Sequence, residues 1–537
     1  AATASASAAA SAADVPSPGS AFAFAGRTLL VLAGAFVLRA LTDSGTLAAP
    51  LGVGLGLVYA GTWIALADRA GKAGASWSAG FHGATAAMIG FPLLFEATFR
   101  FKLLSPATAS GLLAALTAVA LAVAARRRLE GLAWLVSLAG AATAAAVALA
   151  PLTGRATFPA LYVTALGVAT LWLGYVLDWH GPRWPIAIVA DVLVGVVALR
   201  ARAAGGGEDV AAAYAVQAVL LVAYLGSIAA RTLLLGRRVV PFEMFQAAAA
   251  LAVGLGGAAT IASRGGGAVE VGFGLVAVAC GLAAYGVAFR FVERRQKGSA
   301  NFWFYSSAAI VLVLAGTALV LSGPALPLAW AASGAVAAAL GRRSGRITLA
   351  THGAAYGVAA TLAAGLLSHA AETSFTSPDQ AWDAPGLAGV AVLAIAIATV
   401  WFAAAPPRVR VVDRLPQAIL VGIVACAAAG VAIGWLVPLV AGVPGAGAAP
   451  GAVATVRTAV WVAGALALTC LGRCTAFKEA GWLVYPALGA IGLKILLEDL
   501  QRSRPATLFL AFALYGGALI VVSRVRHRPR EAHGAGT

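Results

Sequence analysis

The chain has 537 residues, of which 61% are hydrophobic and only 11% are charged. A soluble domain carries roughly a quarter of its residues as charged side chains to cover its surface, so this composition excludes a water-soluble protein. The net charge of +17 does not indicate nucleic-acid binding, because the basic residues form small groups at predicted helix ends, without interleaved aromatic side chains. Such groups suit the anionic surface of a lipid bilayer, which is the predicted partner.

The N-terminal stretch, residues 1–21, is rich in Ala, Ser and Pro and is predicted to be a disordered linker. It has neither the charged start of a signal peptide nor an initiating Met, so we expect a further segment before it. A membrane domain at 22–523 and a basic tail at 524–537 follow. Within the membrane domain, about eighteen spans approach the roughly 20 apolar residues that cross a bilayer core. Their predicted bounds are 22–41, 46–67, 76–95, 106–124, 130–149, 157–177, 184–199, 210–231, 240–262, 269–289, 303–321, 324–340, 347–367, 385–404, 416–440, 453–472, 482–497 and 507–523.

The distribution of Lys and Arg predicts which way the spans run. Most of these residues fall in the loops after even-numbered spans and in the C-terminal tail. By the positive-inside rule these loops and both termini face the cytoplasm, which predicts outward-pointing helical hairpins in a bacterial inner membrane. The predicted fold class is an all-α, polytopic transmembrane helical bundle or array of hairpins, with about 16 to 19 spans. Small residues at helical spacing, as at Gly52 and Gly56, predict close helix packing.

Charged side chains at the predicted outer ends of spans 1 and 3 are candidate ligand-binding residues. Arg39 and Asp43 lie four residues apart and therefore on one helical face. Glu96 ends span 3 and is followed four residues later by Arg100, which predicts a second local pair. Each group is either an anchor that reaches the headgroup level with a local partner, or part of a polar site.

Two further polar residues are predicted to be buried inside spans. His82 in span 3 is either a helix-packing histidine or a proton relay. Asp191 lies in the middle of span 7, where it bonds to a neighbouring helix, is protonated, or faces a hydrated cavity. Near the start of span 9, Glu243 is predicted to pair with Arg237 or Arg238.

Span 17 ends in the most unusual run of charges. Lys494 lies within an apolar stretch, and Glu498 and Asp499 follow about one turn later. A lysine at a predicted outer end departs from the positive-inside trend, so an acidic partner is expected to hold it there. Lys494, Glu498 and Asp499 are therefore candidate ligand-binding residues, with a simple helical pair as the other interpretation.

The motifs of common enzyme classes are missing from the sequence. No phosphate-binding loop, GxSxG elbow or HExxH pair occurs. Cys470 and Cys474 are one turn apart, but no His accompanies them, and helix packing is the preferred interpretation over a metal pair. The sequence predicts no catalytic residue, no metal and no cofactor, and it favours a non-enzymatic protein.

Three stretches resemble a known family. They are FVLRALTDSGTLAAPLGVGLGLVYAG at 36–61, SSAAIVLVLAGTALVLSGPALPLAWAASGAVAAALGRRSGR at 306–346 and LVYPALGAIGLKILLEDLQRSRPATLFLAFALYGGALIVVSRVRHR at 483–528. Together they resemble domain-of-unknown-function family 2339, predicted bacterial multi-pass membrane proteins. The resemblance implies a fold but no activity. It places the family's charged positions at Arg39, Lys494 and Asp499, and it implies a coiled-coil segment before the membrane part.

The sequence favours an envelope protein that binds or transports a hydrophobic or lipid-linked ligand. Its polar site would lie at the outer ends of spans 1, 3 and 17. An integral-membrane enzyme that acts on a lipid-linked substrate through an outward acid such as Glu96 or Asp379 stays open, as does a structural scaffold. Asp191 discriminates between them, since a hydrated Asp191 favours transport and one bonded to a neighbouring helix favours structure. The oligomeric state is not specified.

Overall fold

The computed structural model describes residues 34, 37–150, 155–203, 207–262, 267–293, 300–404, 410–502 and 505–527. Within these ranges every regular element is a helix, which confirms the all-α prediction. The predicted linker at 1–21, most of span 1 and residues 528–537 of the predicted tail lie outside the described residues.

The chain divides into two units, Ala1–Val320 and Leu321–Thr537. In the first unit the helices run in chain order, and α8 and α10 each continue into a π-helical turn, at Ala230–Leu234 and Val287–Val292. The helices are α1 (37–43), α2 (Ala49–Lys72), α3 (Ser76–Phe99), α4 (Pro106–Arg127), α5 (Glu130–Leu149), α6 (Thr157–Val176), α7 (Arg183–Arg202), α8 (Val210–Ala229), α9 (Pro241–Ala262), α10 (Gly267–Gly286) and α11 (Ala300–Val320).

The second unit is likewise built of helices that follow one another in chain order, and it too contains a π-helical turn. Helix α18 continues through a π-helical turn, Ile495–Asp499, into a short helical segment, Leu500–Arg502. The helices are α12 (Ala325–Ser344), α13 (Ile347–Ala363), α14 (Leu366–Phe375), α15 (Leu387–Phe402), α16 (Leu415–Val440), α17 (Pro450–Arg473), α18 (Ala480–Lys494) and α19 (Pro505–His527). Helix α19 extends four residues beyond the predicted end of span 18 at residue 523.

Among the described residues, 14 helices are long and apolar enough to cross a membrane, and a bent pair raises this number to 15. The bent pair is α13 and α14, which meet at an angle of 57°. Helix α13 corresponds to predicted span 13, and α14 extends eight residues beyond the predicted end of that span at residue 367. Gly365 begins the second helix with φ +69°, a left-handed conformation that glycine adopts without steric cost. Predicted span 14 corresponds to α15, whose 16 residues fall short of the roughly 20 that a straight crossing needs.

The helix pairs that pack most extensively are joined by basic turns and not by the predicted outer turns. These pairs are α2 with α3, α10 with α11, and α12 with α13. Backbones meet directly in two of them: a Cβ added to Gly274 would lie 2.7 Å from the Gly316 carbonyl oxygen, and one added to Gly353 would lie 2.8 Å from that of Gly334. The charge of a loop indicates the side of the membrane on which a turn lies, whereas small residues determine which helices come into contact. The two helices of a predicted outward-pointing hairpin are therefore not the ones that pack most extensively against each other.

Candidate functional site

A chain of four charged side chains links α1, α3 and the residue that follows α3. Arg39 forms two ion pairs. The shorter one is with Glu96, at 2.7 Å between Nη2 and Oε1, and the longer one is with Asp43 on the same helix, at 3.8 Å. Arg100 contacts the Asp43 carboxylate at 3.1 Å. The predicted Glu96–Arg100 pair is therefore wrong, because each acid pairs with the arginine that the other helix presents. All four side chains are partly exposed, by 21% to 49%.

A cavity of about 190 Å³ lies beside this cluster, between α1, α2 and α3. Arg39 and Glu96 form its charged border, and most of the remaining wall is apolar. The other lining residues are Leu38, Thr42, Gly52, Val53, Gly56, Tyr59, Met88, Ile89, Pro92, Leu93 and Phe101. An apolar pocket with a few convergent polar groups is the usual form of a small-molecule site.

Local sequence features shape this cavity. On α2 two of the wall positions are glycines, and a Cβ added to Gly56 would collide with the Leu93 side chain, so α2 and α3 are in direct contact at the cavity edge. On α3, Pro92 lies within the helix and has no N–H, so the Met88 carbonyl lacks its usual helical donor. In an apolar environment such a carbonyl favours a hydrogen-bonding partner.

The second cluster, in the second unit, holds Lys494 in a mostly buried position with all three of its donors engaged. Its Nζ donates to the Ala454 carbonyl at 2.5 Å, to Thr458 Oγ1 at 2.6 Å and to Asp499 Oδ2 at 2.7 Å. Glu498 lies 3.4 Å away. The Thr458 hydroxyl also donates to Asp499, at 3.1 Å. The predicted helical pair with Glu498 is thus the longer contact, and Asp499 is the closer acid.

Arg457 on α17 completes this cluster, and the sequence reasoning did not single it out. It is completely buried; its Nε and Nη2 donate to the carbonyls of Thr373 and Thr376, each at 2.7 Å, and its Nη1 to Glu498 at 2.5 Å. Its guanidinium also lies over the ring of Trp382, at 5.2 Å from the centroid. The signal was present, because Arg457 lies inside predicted span 16 near its outer end, as Lys494 does in span 17.

The π-helical turn at the end of α18 explains how Lys494 reaches two acids. In an α-helix, each residue advances by about 100°, so a side chain five positions on points roughly 140° away. The i→i+5 pattern of Ile495–Asp499 widens the turn and brings Asp499 back toward the face of Lys494. The four charges, two positive and two negative, then balance in a region where unpaired charge is costly.

The two isolated polar residues each contact a neighbour. Asp191 is 8% exposed, and Gln246 Nε2 on α9 donates to its two carboxylate oxygens at 3.2 and 3.1 Å. His82 Nε2 lies 3.2 Å from the Ser78 hydroxyl, and its ring packs 5.1 Å from that of Trp63. Asp191 is therefore bonded to a neighbouring helix, the arrangement that favours a structural role.

Glu243 has a different partner from the one predicted. It is completely buried and pairs at 2.9 Å with Arg231, from the π-helical end of α8, and not with Arg237 or Arg238. The Tyr175 hydroxyl donates to it at 2.6 Å. The π-helical turn positions Arg231, as the one in α18 positions Asp499, and hydropathy does not reveal such turns. In the described part of the chain, no group of three or more His, Cys, Asp or Glu side chains could hold a metal ion.

The length and apolar composition of these helices define a multi-pass α-helical membrane protein. No family model matches this chain, and neither does any curated protein or solved structure.

Proposed function

We propose that this protein binds a hydrophobic or lipid-linked ligand in the cavity between α1, α2 and α3, without catalysing a reaction on it. One observation carries the proposal: the cavity has apolar walls and a border formed by the Arg39–Glu96 pair. An amphipathic molecule matches both features, since its chain contacts the walls and its polar end exchanges hydrogen bonds with the charged pair.

The volume narrows the ligand class. Pockets that enclose a drug-sized molecule measure about 300–1,000 Å³, and this cavity is smaller, at about 190 Å³. It therefore accommodates one segment of a longer molecule, whose remainder lies along the lipid-facing helix surface. A membrane amphiphile reaches such a site from the bilayer, without crossing water.

The ligand site in this proposal includes Arg39, Asp43 and Glu96, and the cluster at Lys494, Glu498 and Asp499 has a different role. The first cluster is partly exposed, whereas Lys494 is 10% exposed and Asp499 is completely buried. The Lys494 ammonium already donates to Ala454, Thr458 and Asp499, so it has no donor left for a ligand, and these contacts stabilise helix packing. Binding is thus assigned to the first unit, and the second cluster holds α17 and α18 together.

A structural scaffold is the second candidate function. The observation that favours it is the Asp191–Gln246 bond between α7 and α9, which engages the most isolated acid of the chain. The enzymatic alternative has less support, because Glu96 is engaged by Arg39, and the exposed Asp379 accepts a hydrogen bond from Ser377.

The cellular setting is part of the proposal. The concentration of basic residues in alternate loops supports a bacterial inner membrane with both termini in the cytoplasm, and the Arg39 cluster at the outer surface is part of this proposal. The stretches around Arg39 and Lys494 support membership of domain-of-unknown-function family 2339.

Photo-crosslinking tests the proposed site. The purified protein in nanodiscs is irradiated with a diazirine-labelled fatty acid, and the labelled peptides are identified by mass spectrometry. We expect crosslinks on α2 and α3, and we expect Met88→Trp to reduce them by about tenfold, because a bulky ring in the cavity displaces the chain at a cost of roughly 1.4 kcal/mol.

Leu55→Trp is the matched control, because Leu55 and Met88 are both 45% exposed but Leu55 does not line the cavity. This variant should keep the crosslinks. Arg39→Gln should weaken labelling without changing the labelled helices. Equal loss in Met88→Trp and Leu55→Trp, or labelling spread over all lipid-facing helices, would show that the cavity is not a binding site.

A further inference from the structure

A second cavity with charged side chains in its wall lies at the basic-turn end of the second unit. It measures about 100 Å³ and is enclosed by the end of α12, the first turn of α13, the end of α15 and the start of α16. Its polar lining side chains are Arg342, Arg346, Thr351, Asp413 and Gln417. None of them belongs to the ligand site proposed above.

Positive charge and donors converge on this cavity. Arg342 borders it from the last turn of α12 and Arg346 from the turn that precedes α13, and Arg342 gives one of its donors to the Trp401 carbonyl at 3.2 Å. The first turn of α13, which begins at Ile347, forms another wall. The first N–H groups of a helix have no acceptor within the helix and carry a partial positive charge, so such a turn favours anions.

Gln417 provides independent evidence for a ligand. It borders the cavity and is only 5% exposed, yet neither its Oε1 nor its Nε2 has a hydrogen-bond partner in the described structure. Buried amides nearly always have partners, because an unsatisfied one loses its hydrogen bonds to water without replacement. A small polar group in the cavity would satisfy both atoms.

The geometry points to a site for a phosphate group, held by Arg342, Arg346, the N-terminus of α13 and Gln417. Phosphate oxygens accept from guanidinium and helix N–H groups, and a hydroxyl on or beside the phosphate donates to Gln417 Oε1. Asp413 also borders the cavity, and Arg410 offsets its charge through a contact of 3.2 Å. Inorganic phosphate and a phospholipid headgroup present this same chemistry.

Binding measurements on the full chain distinguish the two sources. Inorganic phosphate is titrated against the detergent-purified protein by isothermal calorimetry. Retained lipid is counted by native mass spectrometry after reconstitution with phosphatidylglycerol or with a galactolipid that has no phosphate. In whichever of the two measurements detects binding, we expect Arg346→Gln to weaken the affinity by about tenfold. A tenfold change in affinity is equivalent to about 1.4 kcal/mol.

Arg343→Gln is the matched control, because Arg343 is exposed in the last turn of α12, three residues from Arg346, but does not line the cavity. Gln417→Leu provides a second test: it removes an unpartnered amide, so the protein should stay folded with an unchanged or higher melting temperature while it loses the ligand. Binding in the calorimetric arm identifies free phosphate as the ligand, and retention of phosphatidylglycerol alone identifies the headgroup. If neither arm shows binding, or if the Arg343 and Arg346 variants lose it equally, the assignment is overturned.

Discussion

Replacing Lys494 with leucine isolates the contribution of the buried cluster in the second unit. The substitution removes all three close contacts of the ammonium group, with the Ala454 carbonyl, Thr458 and Asp499. It leaves the completely buried Asp499 with one remaining donor, the Thr458 hydroxyl at 3.1 Å, since Asp499 Oδ1 has no partner in the described structure.

The expected loss of stability follows from that unpaired charge. Removing one partner of a buried ion pair typically costs about 3–5 kcal/mol, because the other charge stays buried without compensation. Asp499→Leu should cost less, about 1–3 kcal/mol, since Lys494 keeps two neutral acceptors and the Glu498 carboxylate at 3.4 Å. The double variant leaves neither charge of the pair behind, so its loss should be smaller than the sum of the two single losses by about 2–3 kcal/mol.

The assay is equilibrium unfolding in mixed micelles of mild detergent and sodium dodecyl sulfate, with helicity followed by circular dichroism. Arg410→Gln serves as a control, because its pair with Asp413 is on the surface and such pairs contribute about 0–1 kcal/mol. If the Lys494 and Asp499 losses add within about 0.5 kcal/mol, the two side chains are not coupled and the structural role is refuted.

Three other substitutions test individual contacts by the same unfolding assay. Gln246→Leu removes both hydrogen bonds from the buried Asp191 carboxylate, so we expect a loss of about 1–3 kcal/mol that Asp191→Leu in the same chain largely reverses. Tyr175→Phe removes the 2.6 Å hydrogen bond to the charged Glu243, and we expect a loss of about 1.5–3 kcal/mol. Gly353→Ala forces α12 and α13 apart, because the added methyl would lie 2.8 Å from a facing backbone oxygen, and we expect a loss of about 1–3 kcal/mol.

Each of these has an outcome that would contradict it, and for Gly353→Ala that outcome is a stability equal to or above that of the wild type. A Gln246 variant as stable as the wild type would mean that Asp191 already has another source of compensation. An unchanged Tyr175→Phe variant would mean that Arg231 and the Val240 N–H satisfy Glu243 without the tyrosine. Gly195→Ala is the control for Gly353→Ala, since a Cβ added to Gly195 has no atom within 4 Å. That variant should be stabilised by up to about 1 kcal/mol through helix propensity, the opposite sign to Gly353→Ala.

Much of the fold could be predicted because apolar length is a local property. Every predicted span from the second onward has a helix at its place in the described chain, although span 13 is bent and span 14 is short. The neighbours of each helix were not predictable in this way. Direct backbone contact between α12 and α13 depends on Gly334 and Gly353 lying opposite each other in the two helices. The charge of the loops does not predict this contact.

For the candidate site, too, the sequence predicted the unusual residues but not their partners. The sequence identified Arg39, Glu96 and Lys494 as charges in unusual positions, because a basic or acidic side chain within an apolar span is visible without a structure. It paired Glu96 with Arg100 and Lys494 with Glu498, the nearest opposite charges along each helix. The structure instead pairs Glu96 with Arg39 and brings Asp499 closest to Lys494.

The sequence by itself determined that this protein is a helical, multi-pass membrane protein and which charged side chains depart from its apolar pattern. Both are properties of residues and their near neighbours in the chain. Only the tertiary structure decided which charges meet, that one cluster borders a cavity, and that the other is closed around Arg457. The physical reason is that these outcomes depend on the approach of different helices and on π-helical turns that rotate side chains onto new faces. Apolar periodicity does not encode either effect.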